Sequence, residues 1–114
     1  MEAEWKCREW GGTLTSIHSK EEQVVVNDML KDDESYLIGL NDQNTECDWK
    51  WQDESRIKWT NWDLGKPSGS NDQNKDCTVV AANKKWQDVS CDDFNKYVCK
   101  RKAGLVVEDN DFTY

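Results

Sequence analysis

Several common devices are missing from this 114-residue chain. It has no Cys-x-x-Cys pair, and His18 is its only histidine. Five cysteines and one imidazole therefore cannot supply the four soft ligands of a structural zinc site at the usual spacing, and disulfides are the better account of the cysteines. Disulfides place the mature chain in an oxidising compartment, secreted or exposed on an ectodomain. An odd count leaves one thiol over, and spacing alone leaves the pairing open. No apolar run approaches the roughly 20 residues of a membrane span. Met1 is followed at once by Glu2-Ala3-Glu4, so no secretory leader is visible, which fits a domain excised from something longer, a mature product or a variant start. No Asn-x-Ser/Thr sequon occurs. Basic residues are outnumbered, 15 Lys and Arg against 23 Asp and Glu, for a net charge of −8. That balance argues against nucleic acid, whose phosphates need clustered cations.

What is present is bulk and local punctuation. Seven tryptophans supply a single small domain with large core side chains. Glu2 to Trp10 reads as the end of a helix stopped by Gly11-Gly12, and Thr13 to Ile17 as a short strand. Ser19 and Glu22 form a capping box, and Val25, Val26, Met29 and Leu30 at helical spacing predict a second helix to about Lys31. Tyr36 to Leu40 is a buried strand, and Trp49-Lys50-Trp51 alternates as another. Residues 56–76 are polar and loop-like around Pro67, the only proline. Thr78 to Ala82, Lys85 to Asp88 and Lys96 to Lys100 then predict strands of an antiparallel sheet.

Catalysis finds little support. His18, at a strand-to-helix junction, has no evident nucleophile beside it in sequence. Asp32-Asp33 and Asp92-Asp93 are adjacent carboxylates in turns, where solvation is the ordinary role. The chain is expected not to be an enzyme.

An ordered series of landmarks carries a stronger signal. Cys7 with Gly11-Gly12, Leu37-Ile38-Gly39-Leu40, Trp49-Lys50-Trp51, Asn61-Trp62, Lys66-Pro67-Ser68, Cys77, Trp86-Gln87-Asp88, Cys91 and Tyr97-Val98-Cys99 follow one another along residues 2–101. In that order they resemble a C-type lectin-like domain. The resemblance implies an α+β fold with two helices, small antiparallel sheets and a long loop region. It also implies bridges Cys7–Cys99 and Cys77–Cys91, within a domain at 1–102 followed by an acidic tail at 103–114. The family's usual first strand is missing here, which would leave Lys96 to Lys100 with an open edge. Two readings of the tail are open: Leu105 to Val107 turns back at Ala103-Gly104 and pairs there, or acidic Glu108 to Asp111 marks a frayed end. Cys47 stands where many relatives carry glycine, and is either a free thiol or the link of a disulfide dimer.

The same resemblance locates two calcium loci. Sugar-binding relatives hold one ion with oxygens flanking the loop proline, an acidic residue before Asp-Cys, and the Asn-Asp of Trp-Asn-Asp; sugar hydroxyls join that ion. Here those positions are Lys66, Ser68, Lys75, Gln87 and Asp88, and only Asp88 is a good ligand for an ion that wants six to eight oxygens. Calcium is therefore not expected at this primary locus, where Lys66 or Lys75 can pair with Asp88 instead. At an auxiliary locus the carboxylates map to Asp42, Glu46 and Asp76, with Asp72 as a further candidate, and calcium is possible there. The expected function is an extracellular recognition module, in a receptor or a secreted protein, binding a protein ligand through its upper loops with Trp59 as the exposed anchor. The alternatives are a carbohydrate-binding lectin, calcium-dependent or metal-independent, and a non-binding spacer of a multi-domain receptor.

Overall fold

A computed structural model describes residues 2–31, 33–68, 75–93, 95–101 and, as backbone, 104–108. The elements run α1 (Glu2–Glu9), β1 (Thr13–Leu14), α2 (Lys20–Asn27), β2 (Tyr36–Asn41), β3 (Lys50–Trp51), β4 (Cys77–Val80), β5 (Trp86–Val89), β6 (Lys96–Arg101) and β7 (Gly104–Glu108). Gly11 ends α1 at φ +95°, and the N–H groups of Gly11 and Gly12 donate to the carbonyls of Arg8 (3.0 Å) and Cys7 (2.9 Å). This is a left-handed cap. A Cβ at Gly12 would stand 2.3 Å from the Lys100 carbonyl oxygen, so glycine is what lets the chain enter β1 against β6. The expected strand to Ile17 is regular only through Leu14, although Leu14 to Ile17 are all buried.

Ser19 caps α2, its Oγ accepting from the Glu22 N–H at 3.1 Å, as the capping pattern predicts. The helix ends at Asn27, short of Lys31. Met29 and Leu30 donate back three residues, to Val26 and Asn27, and the tightened turn leaves Val25 and Met29 exposed while Val26 and Leu30 face the core.

The sheet runs β1-β6-β2-β4-β5, with β3 added to β2 and β7 to β6. It is mixed rather than purely antiparallel: β2 and β6 pair in parallel at Tyr36↔Lys96 and Leu37↔Tyr97. Parallel neighbours require a long crossover, which the chain between them supplies. β1 pairs Leu14 with Cys99, and β7 pairs Val106 with Cys99 from the other side, so the returning tail lies along the β6 edge. Residues 109–114 lie outside the described residues.

Two apolar clusters flank the sheet. One gathers around Trp86, fully buried, whose ring meets Trp51, Trp59 and Trp62 edge-on at 5.6, 5.7 and 5.9 Å. Its indole Nε1–H donates to Gln23 Oε1 at 2.7 Å, tying α2 to β5. The other contains both bridges implied by the resemblance, Cys7–Cys99 and Cys77–Cys91. Closing loops of 92 and 14 residues, they contribute about 4.7 and about 3 kcal/mol in the chain-entropy account.

Candidate functional site

Strand alternation builds the first locus. In β5 the side chains of Trp86 and Asp88 turn inward, and those of Gln87 and Val89 are half-buried on the opposite face. Asp88 is thus carried into the protein below the loop at Pro67, whose bond to Lys66 is cis. Ser68 donates to Asp88 twice, from its N–H to Oδ2 at 2.9 Å and from Oγ to Oδ1 at 3.0 Å. Lys66 Nζ donates to Ser68 Oγ at 3.2 Å and stands 3.9 Å from Asp88 Oδ1. A carboxylate whose side chain is 2% exposed therefore has its charge met by an ammonium and its lone pairs by the loop. Lys75 is half-buried just before Asp76.

Gln87 faces elsewhere. Its Nε2 donates to Asp63 Oδ2 at 3.1 Å, which also accepts from Asn83 Nδ2 at 3.0 Å, while Asp63 Oδ1 accepts the Leu64 N–H at 2.8 Å. The Asn83 amide, the Leu64 N–H and Gln87 hold the Asp63 carboxyl below its ordinary range. The turn closes with Lys66 N–H on the Asp63 carbonyl at 2.9 Å, and Leu64 at its tip is 97% exposed. Trp59, expected as the exposed anchor, is instead half-buried against Trp86. Leu64 is instead the large apolar side chain fully exposed at this turn.

The second locus lies where β2 leaves the sheet. Asp42 N–H donates to the Asp76 carbonyl at 3.0 Å, placing the two residues side by side. Asp42 is 3% exposed; its Oδ2 accepts the Cys47 N–H at 2.8 Å, and its Oδ1 has no hydrogen-bond partner among the described residues. Desolvation, then the charges of Asp42 and Asp76, push the Glu46 carboxyl up from its ordinary value. The Cys47 thiol is pushed up by desolvation, Glu46 and Asp42. Cys47 is exposed, unbridged, and held at φ +65°, the left-handed region that glycine enters at no steric cost. Asp72 lies outside the described residues. The orphaned Asp42 oxygen is what a bound cation would satisfy, so these residues fit one.

A third cluster corrects the sequence view of His18. Its Nε2 lies 2.9 Å from Ser55 Oγ, and Ser55 in turn donates to Asp53. Burial pushes the Asp53 carboxyl up, but hydrogen bonds from Ser16 and Ser55 outweigh it and hold the group below its ordinary value. With its one proton given to Asp53, Ser55 accepts from His18 Nε2–H. The order is carboxylate, hydroxyl, imidazole, the reverse of what activates a serine nucleophile. A groove of about 790 Å³ opens beside this cluster, lined in part by Asn41, Asn44, Trp49, Gln52 and Arg56, and includes none of Lys66, Ser68, Gln87 or Asp88.

The Lectin C-type domain family matches residues 1–101. The versican core protein of Homo sapiens is 40% identical over 101 residues, 87% of this chain and 3% of that protein. The C-type mannose receptor 2 of Mus musculus is 36% identical over 110 residues, 94% of this chain and 7% of that protein. Among solved structures, the human scavenger receptor C-type lectin carbohydrate-recognition domain superposes with a TM-score of 0.79 at 30% identity, covering 86% of this chain and 78% of that chain. The chain thus spans less than a tenth of the length of the curated relatives it matches.

Proposed function

The chain belongs to the C-type lectin domain family, and from that premise we propose that it is an extracellular recognition module whose upper loop binds a protein ligand with no calcium at the Lys66–Asp88 locus. The observation that carries this is the occupation of Asp88 by the loop itself: two donors from Ser68 and the Lys66 ammonium at 3.9 Å. A divalent ion there would have to displace an ammonium and find more side-chain oxygens than the single hydroxyl that Ser68 offers, since the Lys66 side chain has none. The contact face is the turn at Asp63 to Lys66, braced from below by Asn83 and Gln87, which presents an apolar tip beside a cation. The exposed Leu64 side chain on this braced turn offers apolar surface that a partner gains by burying. The two disulfides support an oxidising location, and among the described residues no helix is long and apolar enough to cross a membrane.

Calcium is commonly bound in this family. In this chain the acidic locus at Asp42 and Glu46, with Asp76 alongside, is the one whose residues fit a cation, because Asp42 Oδ1 is buried without a donor among the described residues.

A second reading, metal-independent glycan binding, is favoured by the groove at Trp49, where amides of Asn41, Asn44 and Gln52 accompany an aromatic ring. Parallel arrays of glycans and extracellular proteins, each with and without chelator, separate the two. Protein binding that is lost in Leu64→Asp, with an unchanged melting temperature, is the expected result. Chelator-sensitive binding to mannose or galactose would overturn the proposal.

A further inference from the structure

We propose that Cys47 completes the acidic locus into a site for a thiophilic divalent ion of the zinc class, with Asp42, Glu46 and the Cys47 sulfur as protein ligands. The inference rests on reading this locus as a cation site, and adds which ion it selects. Ligand atoms of these three residues lie within 4.8 Å of one another, the arrangement in which a metal ion can be shared. The carrying observation is Asp42: its side chain is buried in a residue 3% exposed, one oxygen accepts the Cys47 N–H at 2.8 Å, and the other has no partner among the described residues. A buried carboxylate oxygen without a donor is costly, and a cation removes that cost.

Ligand chemistry then decides between ions. Calcium collects six to eight oxygens and gains nothing from sulfur. Zinc takes four ligands and binds thiolate at about 2.3 Å and carboxylate oxygen at about 2.0–2.2 Å, commonly leaving one position to water. Tetrahedral ligands at those lengths stand about 3.5 Å apart, so the three side chains need close by only about 1 Å. Glu46 and Cys47 lie on the loop after β2, Glu46 half-buried and Cys47 exposed, outside the packed core. Asp42 is fixed by the Cys47 N–H, so the backbone of the cysteine orients the ligand beside its own sulfur. On binding, the sulfur–hydrogen bond breaks, its electron pair forms the sulfur–metal bond, and the proton leaves to solvent. Two carboxylates and a thiolate leave the complex with one net negative charge, whereas calcium would leave the thiol uninvolved.

The full chain, stripped of metal, with both disulfides intact and Cys47 as the free thiol, is titrated separately with cadmium, zinc and calcium ions. Cadmium is expected to give thiolate-to-metal absorption in the ultraviolet at one equivalent, and zinc to raise the melting temperature. Cys47→Ser should abolish the absorption and weaken zinc on the order of 100-fold, with the calcium response unchanged. Glu46→Gln should weaken both metals, and an unchanged near-ultraviolet circular dichroism spectrum certifies its fold. A calcium response without cadmium–thiolate absorption overturns the inference and leaves the calcium reading standing. No response to any ion overturns both. Zinc affinity that survives Cys47→Ser, or a Cys47-linked dimer that yields no thiolate absorption after reduction, also overturns it.

Discussion

Replacing Lys66 by methionine removes the ammonium facing Asp88 and keeps the side chain's length. The two groups stand 3.9 Å apart, with side chains 29% and 2% exposed. At an effective dielectric constant near 20, unit charges at that separation attract by about 4 kcal/mol. The variant no longer bears the desolvation cost of a partly buried ammonium, which offsets a share of this, and both Ser68 hydrogen bonds remain to hold the carboxylate. The net loss expected is about 2 kcal/mol, between the ~0–1 of a surface pair and the ~3–5 of a broken buried one. Urea denaturation measures it directly, and a cycle with Asp88→Asn isolates the coupling, expected at about 1.5 kcal/mol. For a domain of this size a 2 kcal/mol loss lowers the melting temperature by roughly 10 °C. A single-variant loss below about 0.5 kcal/mol, or a coupling indistinguishable from zero, would refute the idea that lysine has taken over the charge role at this locus.

Two further outcomes are expected. Glu4 is buried in α1, where its Oε1 accepts from Thr13 Oγ1 and from the Leu14 N–H at 2.9 Å each, and its Oε2 meets Arg8 at 2.6 Å. Glu4→Ala orphans a buried N–H and should cost about 2–3 kcal/mol in urea denaturation. Asp53 titrates below its ordinary value of 3.8, so its contribution to stability is complete above that pH and is lost as pH falls through the lower folded value. Stability measured from neutrality down to acid should therefore fall less steeply at the acid end in Asp53→Asn than in the parent, with no difference in slope above pH 5.

Much of this architecture was legible because its signals are local. The Gly11-Gly12 stop, the Ser19 cap and the alternation in Trp86 to Val89 are each decided within a few residues, and the cysteine pairing followed from an ordered resemblance. The parallel pairing of β2 with β6 was not legible, since strand direction depends on a crossover whose path no short pattern encodes. Side-chain partners were the harder part. Gln87 is grouped with Asp88 because the pair stands at the Asn-Asp of the Trp-Asn-Asp motif, yet here the two side chains face opposite sides of the strand, and Gln87 reaches Asp63 instead. His18 has no nucleophile beside it in sequence because Ser55 is 37 residues away, and nothing in the acidic first turn of α1 shows that Glu4 will be buried.

The two loci differ in how their carboxylates are compensated, and that difference predicts where an ion goes. At the first, one buried carboxylate has two hydrogen-bond donors and an ammonium, all from the loop that covers it. Adding a divalent ion there would gain little and would expel the lysine. At the second, Asp42 and Glu46 crowd together with Asp76 near enough to push the Glu46 carboxyl up, and one buried oxygen has no donor among the described residues. Electrostatic repulsion and an unmet lone pair act in the same direction, and a cation removes both. With lysine filling the first locus, the second is where we propose that metal changes stability, and on that proposal Cys47, in a backbone conformation that suits glycine, sets which metal it is.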